Sequence, residues 1–92
     1  MEVQDLVFDD RNEEKFSRHG VTAREVRQVV EAEKLRVFRN KKSDGNAPYI
    51  LIGETHGGRL LPVPIDPTET PEVWRPRTAW DSSPGERERY EH

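Results

Sequence analysis

Hydrophobic positions along this chain come in short clusters, and the spacing within each cluster predicts a different element. Leu6-Val7-Phe8 reads as a short first strand. Asp9 or Asp10 then caps a helix whose first-turn acids face the positive helix end. Gly20 ends that helix, because glycine tolerates the left-handed position after a helix C-terminus. Thr22-Ala23-Arg24-Glu25 is a capping box, with Val21 and Val26 placed to staple the entry of a second helix. Val26, Val29 and Val30 share one face of it at helical spacing.

Beyond the second helix the pattern changes to strands. Leu35 to Arg39 has strand character, and the polar stretch from Asn40 to Pro48, with Asp44-Gly45-Asn46, reads as a loop. Tyr49 to Gly53 is a strand; His56-Gly57-Gly58 turns the chain; Arg59 to Ile65 returns it as a hairpin partner. Pro62 and Pro64 lack backbone donors on the same side, which predicts an edge strand or one that stops early. Glu72 to Trp80 reads as a further strand, and Ser83-Pro84-Gly85-Glu86 is a second capping box that opens a short terminal helix through Tyr90. Helices followed by strands predict an α+β fold: a small antiparallel sheet with two N-terminal helices and a short C-terminal one.

Ninety-two residues fit one domain, 1–92. The core must come from few positions: Leu6, Phe8, Phe16, Val26, Val29, Val30, Leu35, Val37, Phe38, Ile50, Ile52, Leu61, Val63, Val73 and Trp74. Such a sparse core leaves room for a partner chain, including a second copy, to complete it. Without cysteine there is no disulfide or thiolate metal site, which suits a reducing cytoplasm. The longest apolar run, Tyr49 to Ile52, is too short to span a bilayer, and the acidic N-terminus does not resemble a signal peptide.

Net charge is −3, but its distribution matters more. Between Lys34 and Leu61 the bases Lys34, Arg36, Arg39, Lys41, Lys42 and Arg59 face only Asp44 and Glu54, and both flanks are acidic. A basic middle suits a polyanion such as RNA; it also suits a solvated loop. There is no phosphate-binding glycine loop, no zinc-protease motif and no nucleophile elbow. His56 and His92 have no metal-ligand companion at useful spacing, so neither a metal nor a cofactor is expected. His19, in the last turn of the first helix, could bind phosphate or act as a general acid, or serve only the helix dipole. Arginine forks match phosphate oxygens, and Arg36, Arg39, Arg59, Arg75 and Arg77 lie on predicted strands or their ends, which would make one basic sheet face. Arg75 and Arg77 alternate onto the same side.

In order along the chain, Phe8-Asp9, Arg11 and Arg18-His19-Gly20-Val21 resemble the N-terminal signature of BrnT-like proteins, toxins of type II toxin–antitoxin systems. Tyr49 to Gly53, the glycine turn and Arg59-Leu60 resemble the middle of that family. Val73-Trp74-Arg75-Pro76, Thr78-Ala79, Glu86-Arg87 and Tyr90 resemble its C-terminal strand and helix. The resemblance spans nearly the whole chain. It implies a RelE-like fold, metal-independent RNA cleavage, neutralisation by a cognate antitoxin, and operon repression by the complex. By position, the implied catalytic set is Arg18, His19, Glu86 and Arg87. From the charge distribution and the predicted strands, rather than from the resemblance, the residues expected to face RNA are Arg36, Arg39, Lys41, Lys42, Arg59, Arg75 and Arg77, with Trp80 as a stacking ring. Four positions depart from the pattern: Trp80 stands where the family has an arginine, Lys15 where it has an asparagine, and Pro62 and Pro64 where it has strand formers. Tryptophan cannot replace an arginine's charge but can stack on a base. A weakened relative that pairs with an antitoxin or with itself, and a non-cleaving RNA-binding module, are the alternative readings.

Overall fold

The protein is described by a computed structural model that covers residues 2–41 and 47–92. Its elements run β1 (Asp5–Leu6), α1 (Asp10–Arg18), α2 (Ala23–Val30), β2 (Arg36–Arg39), β3 (Tyr49–Glu54), β4 (Leu60–Pro67), β5 (Val73–Pro76) and α3 (Pro84–Glu91). This is the expected α+β fold. The strands form one five-stranded sheet in the order β1-β5-β4-β3-β2.

All three helix starts are locally encoded. Thr22 and Ser83 close the expected capping boxes with Glu25 and Glu86. Asp9 closes a third, in which Asn12 takes the place usually held by glutamate or glutamine. Gly20 follows α1 with φ +66°, a conformation that glycine adopts without a Cβ penalty. The stapling valines, Val21 and Val26, are both buried.

The sheet is mixed rather than purely antiparallel. β1 runs parallel to β5, pairing Asp5 with Val73 and Leu6 with Trp74. Parallel neighbours need a long crossover, and here everything from α1 to β4 lies between them. The first and last strands therefore meet in one ladder.

Pro62 and Pro64 lie in β4, which is an interior strand paired with β3 and β5, not an edge. Their missing donors do share one side, as expected. That side faces segment 77–82, where Arg77 N–H donates to the Pro64 carbonyl (2.8 Å), Trp80 to Pro62 (3.4 Å) and Ser82 to Leu60 (3.0 Å). Prolines cannot return such bonds, so the ladder becomes one-sided. β5 accordingly ends at Pro76 instead of continuing to Trp80.

Neighbouring residues on a strand point to opposite faces. Leu51 joins the main core with Phe16, Val26, Val29, Leu61, Val63 and Ile65, under α1 and α2. Ile52 joins a smaller cluster with Leu60 and Tyr90, which α3 brings to the other face. Gly53 allows α2 to sit close on β3, since a Cβ there would lie 2.6 Å from the Val29 carbonyl oxygen. Val37 is not a core residue: it lies on edge strand β2 and is 42% exposed. Among the described residues, no helix is long and apolar enough to cross a membrane.

Candidate nucleic-acid interface

The N-terminal half of α1 faces the C-terminal half of β5 across a cleft of about 350 Å³. Arg11 and Lys15, one helical turn apart, line its helix side. Arg75 and Arg77 line its sheet side, beside Asp66. The expectation that these two arginines share a face holds: the register puts Arg75 opposite Asp66, and Arg77 Nε donates to Asp66 Oδ2 at 3.0 Å.

Each carboxylate in the cleft has two tasks. Asp9 accepts the Asn12 amide at the helix cap with one oxygen and pairs with Arg75 through the other. Asp66 accepts the Ala47 amide with one oxygen and Arg77 with the other. These pairs orient the guanidinium groups and leave further N–H donors on each fork. Among the described residues, Arg11 and Lys15 form no ion pair with a carboxylate. The four cations against two carboxylates make the cleft a local positive site on an acidic chain.

Asn12 holds the cleft together. It is buried, its carbonyl accepts the Asp9 amide at 3.0 Å, and its amide donates to the Val7 and Pro76 carbonyls at 2.9 and 3.0 Å. One side chain thus fixes the start of α1, the exit of β1 and the end of β5. Asn12→Ala strips the partners from those groups, at an expected cost of about 1–3 kcal/mol. A lower urea midpoint with an unchanged slope would show it.

Of Arg18, His19, Glu86 and Arg87, the last three lie around segment 80–82. His19 caps α1 and lies within electrostatic reach of Asp81. Glu86 accepts the Trp80 indole N–H (3.1 Å) and the Ser83 amide (2.8 Å), and Arg87 reaches Ser82 Oγ at 3.5 Å. Arg18 is exposed and pairs with Glu14 at 2.7 Å. Among the described residues, no hydrogen bond joins the α1 pair to the α3 pair. Trp80 is only half-buried, and its N–H is held by Glu86.

The single basic sheet face does not form. Arg36 pairs with Ile52, and Arg39 with Tyr49, and they lie on opposite faces because they are an odd number of positions apart on the strand. Arg36 instead donates to the Tyr90 carbonyl at 3.1 Å and lies over the Phe38 ring, whereas Arg39 and Lys41 are exposed. Lys42 lies outside the described residues. Burial raises the pKa of the Tyr90 hydroxyl, helped by nearby Glu54.

Arg59 is a structural clasp. It bonds the Gly20 carbonyl (2.8 Å), Glu25 (3.0 Å) and both oxygens of Asp81 (3.1 Å), joining the α1–α2 corner to the approach of α3. Those carboxylates, Asp81 first, hold its guanidinium above its ordinary pKa. In return, the hydrogen bond from Arg59 pulls the Asp81 carboxyl below its usual value. The stabilisation is therefore present above the unfolded carboxylate range and is lost as pH falls through the lower folded value. Carboxyl NMR of Arg59→Ala should show the Asp81 midpoint moving up; an unmoved midpoint would remove Arg59 as the cause.

The described residues contain no cluster of three or more histidine, cysteine or acidic side chains able to hold a metal. No protein-family model matches the chain, and no curated protein matches it.

Proposed function

We propose that this chain is an RNA-directed protein of the BrnT-like toxin type, with metal-independent RNA cleavage as its activity and a cognate antitoxin as its inhibitor. One observation carries the RNA reading: Arg11, Lys15, Arg75 and Arg77 converge on one cleft, and Arg11 and Lys15 have no carboxylate partner among the described residues. Guanidinium forks held at fixed angles suit the non-bridging oxygens of a phosphodiester. The α+β fold and the order of the motifs along it support the toxin type. Cleavage requires a base for the 2′-hydroxyl, an acid for the leaving oxygen, and cations for the developing charge. The cleft supplies the cations, and His19 is the candidate proton carrier at segment 80–82.

A second reading, RNA binding without cleavage, is favoured by the Trp80–Glu86 bond. Glu86 is occupied by the indole and by its own helix cap, and the position expected to hold an arginine carries no charge. Incubating the purified chain with single-stranded RNA and a chelator, beside Trp80→Arg, separates the readings. Cutting by both variants supports the ribonuclease. Cutting by Trp80→Arg alone identifies a silenced scaffold. Two folded variants that bind RNA without cutting support the second reading. If neither cuts nor binds RNA, both readings fail.

A further inference from the structure

The outer edge of β2 offers a second binding surface, distinct from the cleft. The Asn40 amide donates to the Pro48 carbonyl at 2.8 Å, which sets the phase of the β2–β3 ladder. In an antiparallel pair, hydrogen-bonded positions alternate, so Phe38 and Arg36 face β3 and the N–H and C=O groups of Val37 and Arg39 point away from the sheet. β2 is the last strand, and among the described residues no backbone bond satisfies those outward groups. The Val37 side chain on this edge is the exposed large hydrophobic of the described chain. The flanking cations Arg36, Arg39 and Lys41 have no carboxylate partner among the described residues.

We propose that this edge binds an extended acidic segment of a protein partner by strand addition. An unpaired edge is a template for another strand. The side chains state what that strand should carry. Cross-strand neighbours prefer opposite charge or apolar contact, so carboxylates belong opposite Arg36 and Arg39, and apolar residues opposite Val37 and Phe38. The complementary core is acid–apolar–apolar–acid, a pattern that reads the same in both chain directions. A second copy is disfavoured, because the outward groups of Val37 and Arg39 can bond only in registers such as Val37 opposite Arg39 and Arg36 opposite Asn40, which bring no carboxylate opposite either arginine. The inference does not rest on the RNA reading.

The test uses the full chain, isotopically labelled, and a blocked eight-residue peptide with glutamate-valine-valine-glutamate at its centre. The expected result is saturable amide shifts centred on Val37 and Arg39. Affinity should fall at least tenfold for a lysine-valine-valine-lysine peptide and for a peptide N-methylated at the bonding amides. Because the peptides change and the protein does not, loss of folding cannot imitate these results. Absence of shifts at the edge overturns the proposal. So does equal binding of the N-methylated peptide, which would leave only charge attraction. An RNA oligonucleotide that shifts these amides where the peptide does not reassigns the edge to nucleic acid.

Discussion

Phe16→Ala should remove about 3–5 kcal/mol of stability, the usual cost of truncating a fully buried aromatic ring. Phe16 is wholly inaccessible, sits in the main cluster between α1 and the sheet, and meets Phe8 edge to face at 6.2 Å. A domain of this size has roughly 5–15 kcal/mol in total, so one substitution takes a large fraction. The surroundings have little freedom to close over the gap. Val26, Val29, Leu61 and Val63 around it are fixed to the α2 and β4 backbones and are themselves fully buried. Urea denaturation should show a much lower midpoint with a similar slope. A midpoint within experimental error of the parent would mean that α1 does not pack where the structure puts it.

The largest functional effect is expected from Arg11→Glu combined with Lys15→Glu. Each phosphate contact on a single strand contributes about 0.7 to the slope of log affinity against log salt. Loss of two contacts should lower that slope by about 1.4, or roughly 25-fold in affinity at 0.1 M salt, and reversed charge should carry the loss to about 100-fold. Both side chains lie on α1 without a carboxylate partner among the described residues, so the fold should persist. Fluorescence anisotropy with a labelled RNA oligomer across a salt series measures both quantities. An unchanged slope would mean that phosphate does not enter the cleft from the helix side.

The parts of this molecule that are legible in the sequence are those fixed by short-range chemistry. Thr22 with Glu25, and Ser83 with Glu86, announce helix starts because the cap is satisfied within four residues. The cap at Asp9 was half legible. The aspartate is a familiar cap residue, but its partner, Asn12, earns its place through the distant carbonyl of Pro76. Long-range pairing is the part that periodicity cannot convey. Nothing local in Asp5-Leu6 reveals a parallel partner at Val73-Trp74. The prolines of β4 revealed which side lacked donors, but not that a one-sided partner would cover it.

The candidate site divides in the same way. Arg75 and Arg77 could be placed together by strand alternation. Alternation also separates Arg36 from Arg39, which is why grouping arginines by predicted strand overstated the basic face. Arg11 and Lys15 sit in an acid-rich helix where a solvated reading is natural, and only the packing of α1 against β5 turns them toward the other two arginines. Arg59, grouped with the RNA-facing residues by charge, is committed to Glu25 and Asp81. Its partners lie 34 and 22 residues away, a separation at which sequence spacing carries no signal.

The central claim is that the cleft between α1 and β5 receives RNA phosphate. Its most direct test is NMR of the labelled chain titrated with a short single-stranded RNA, following the arginine Nε–H groups and backbone amides. The account predicts saturable, salt-sensitive shifts at Arg11, Lys15, Arg75 and Arg77. RNA binding that leaves these four unmoved while shifting residues elsewhere would contradict it.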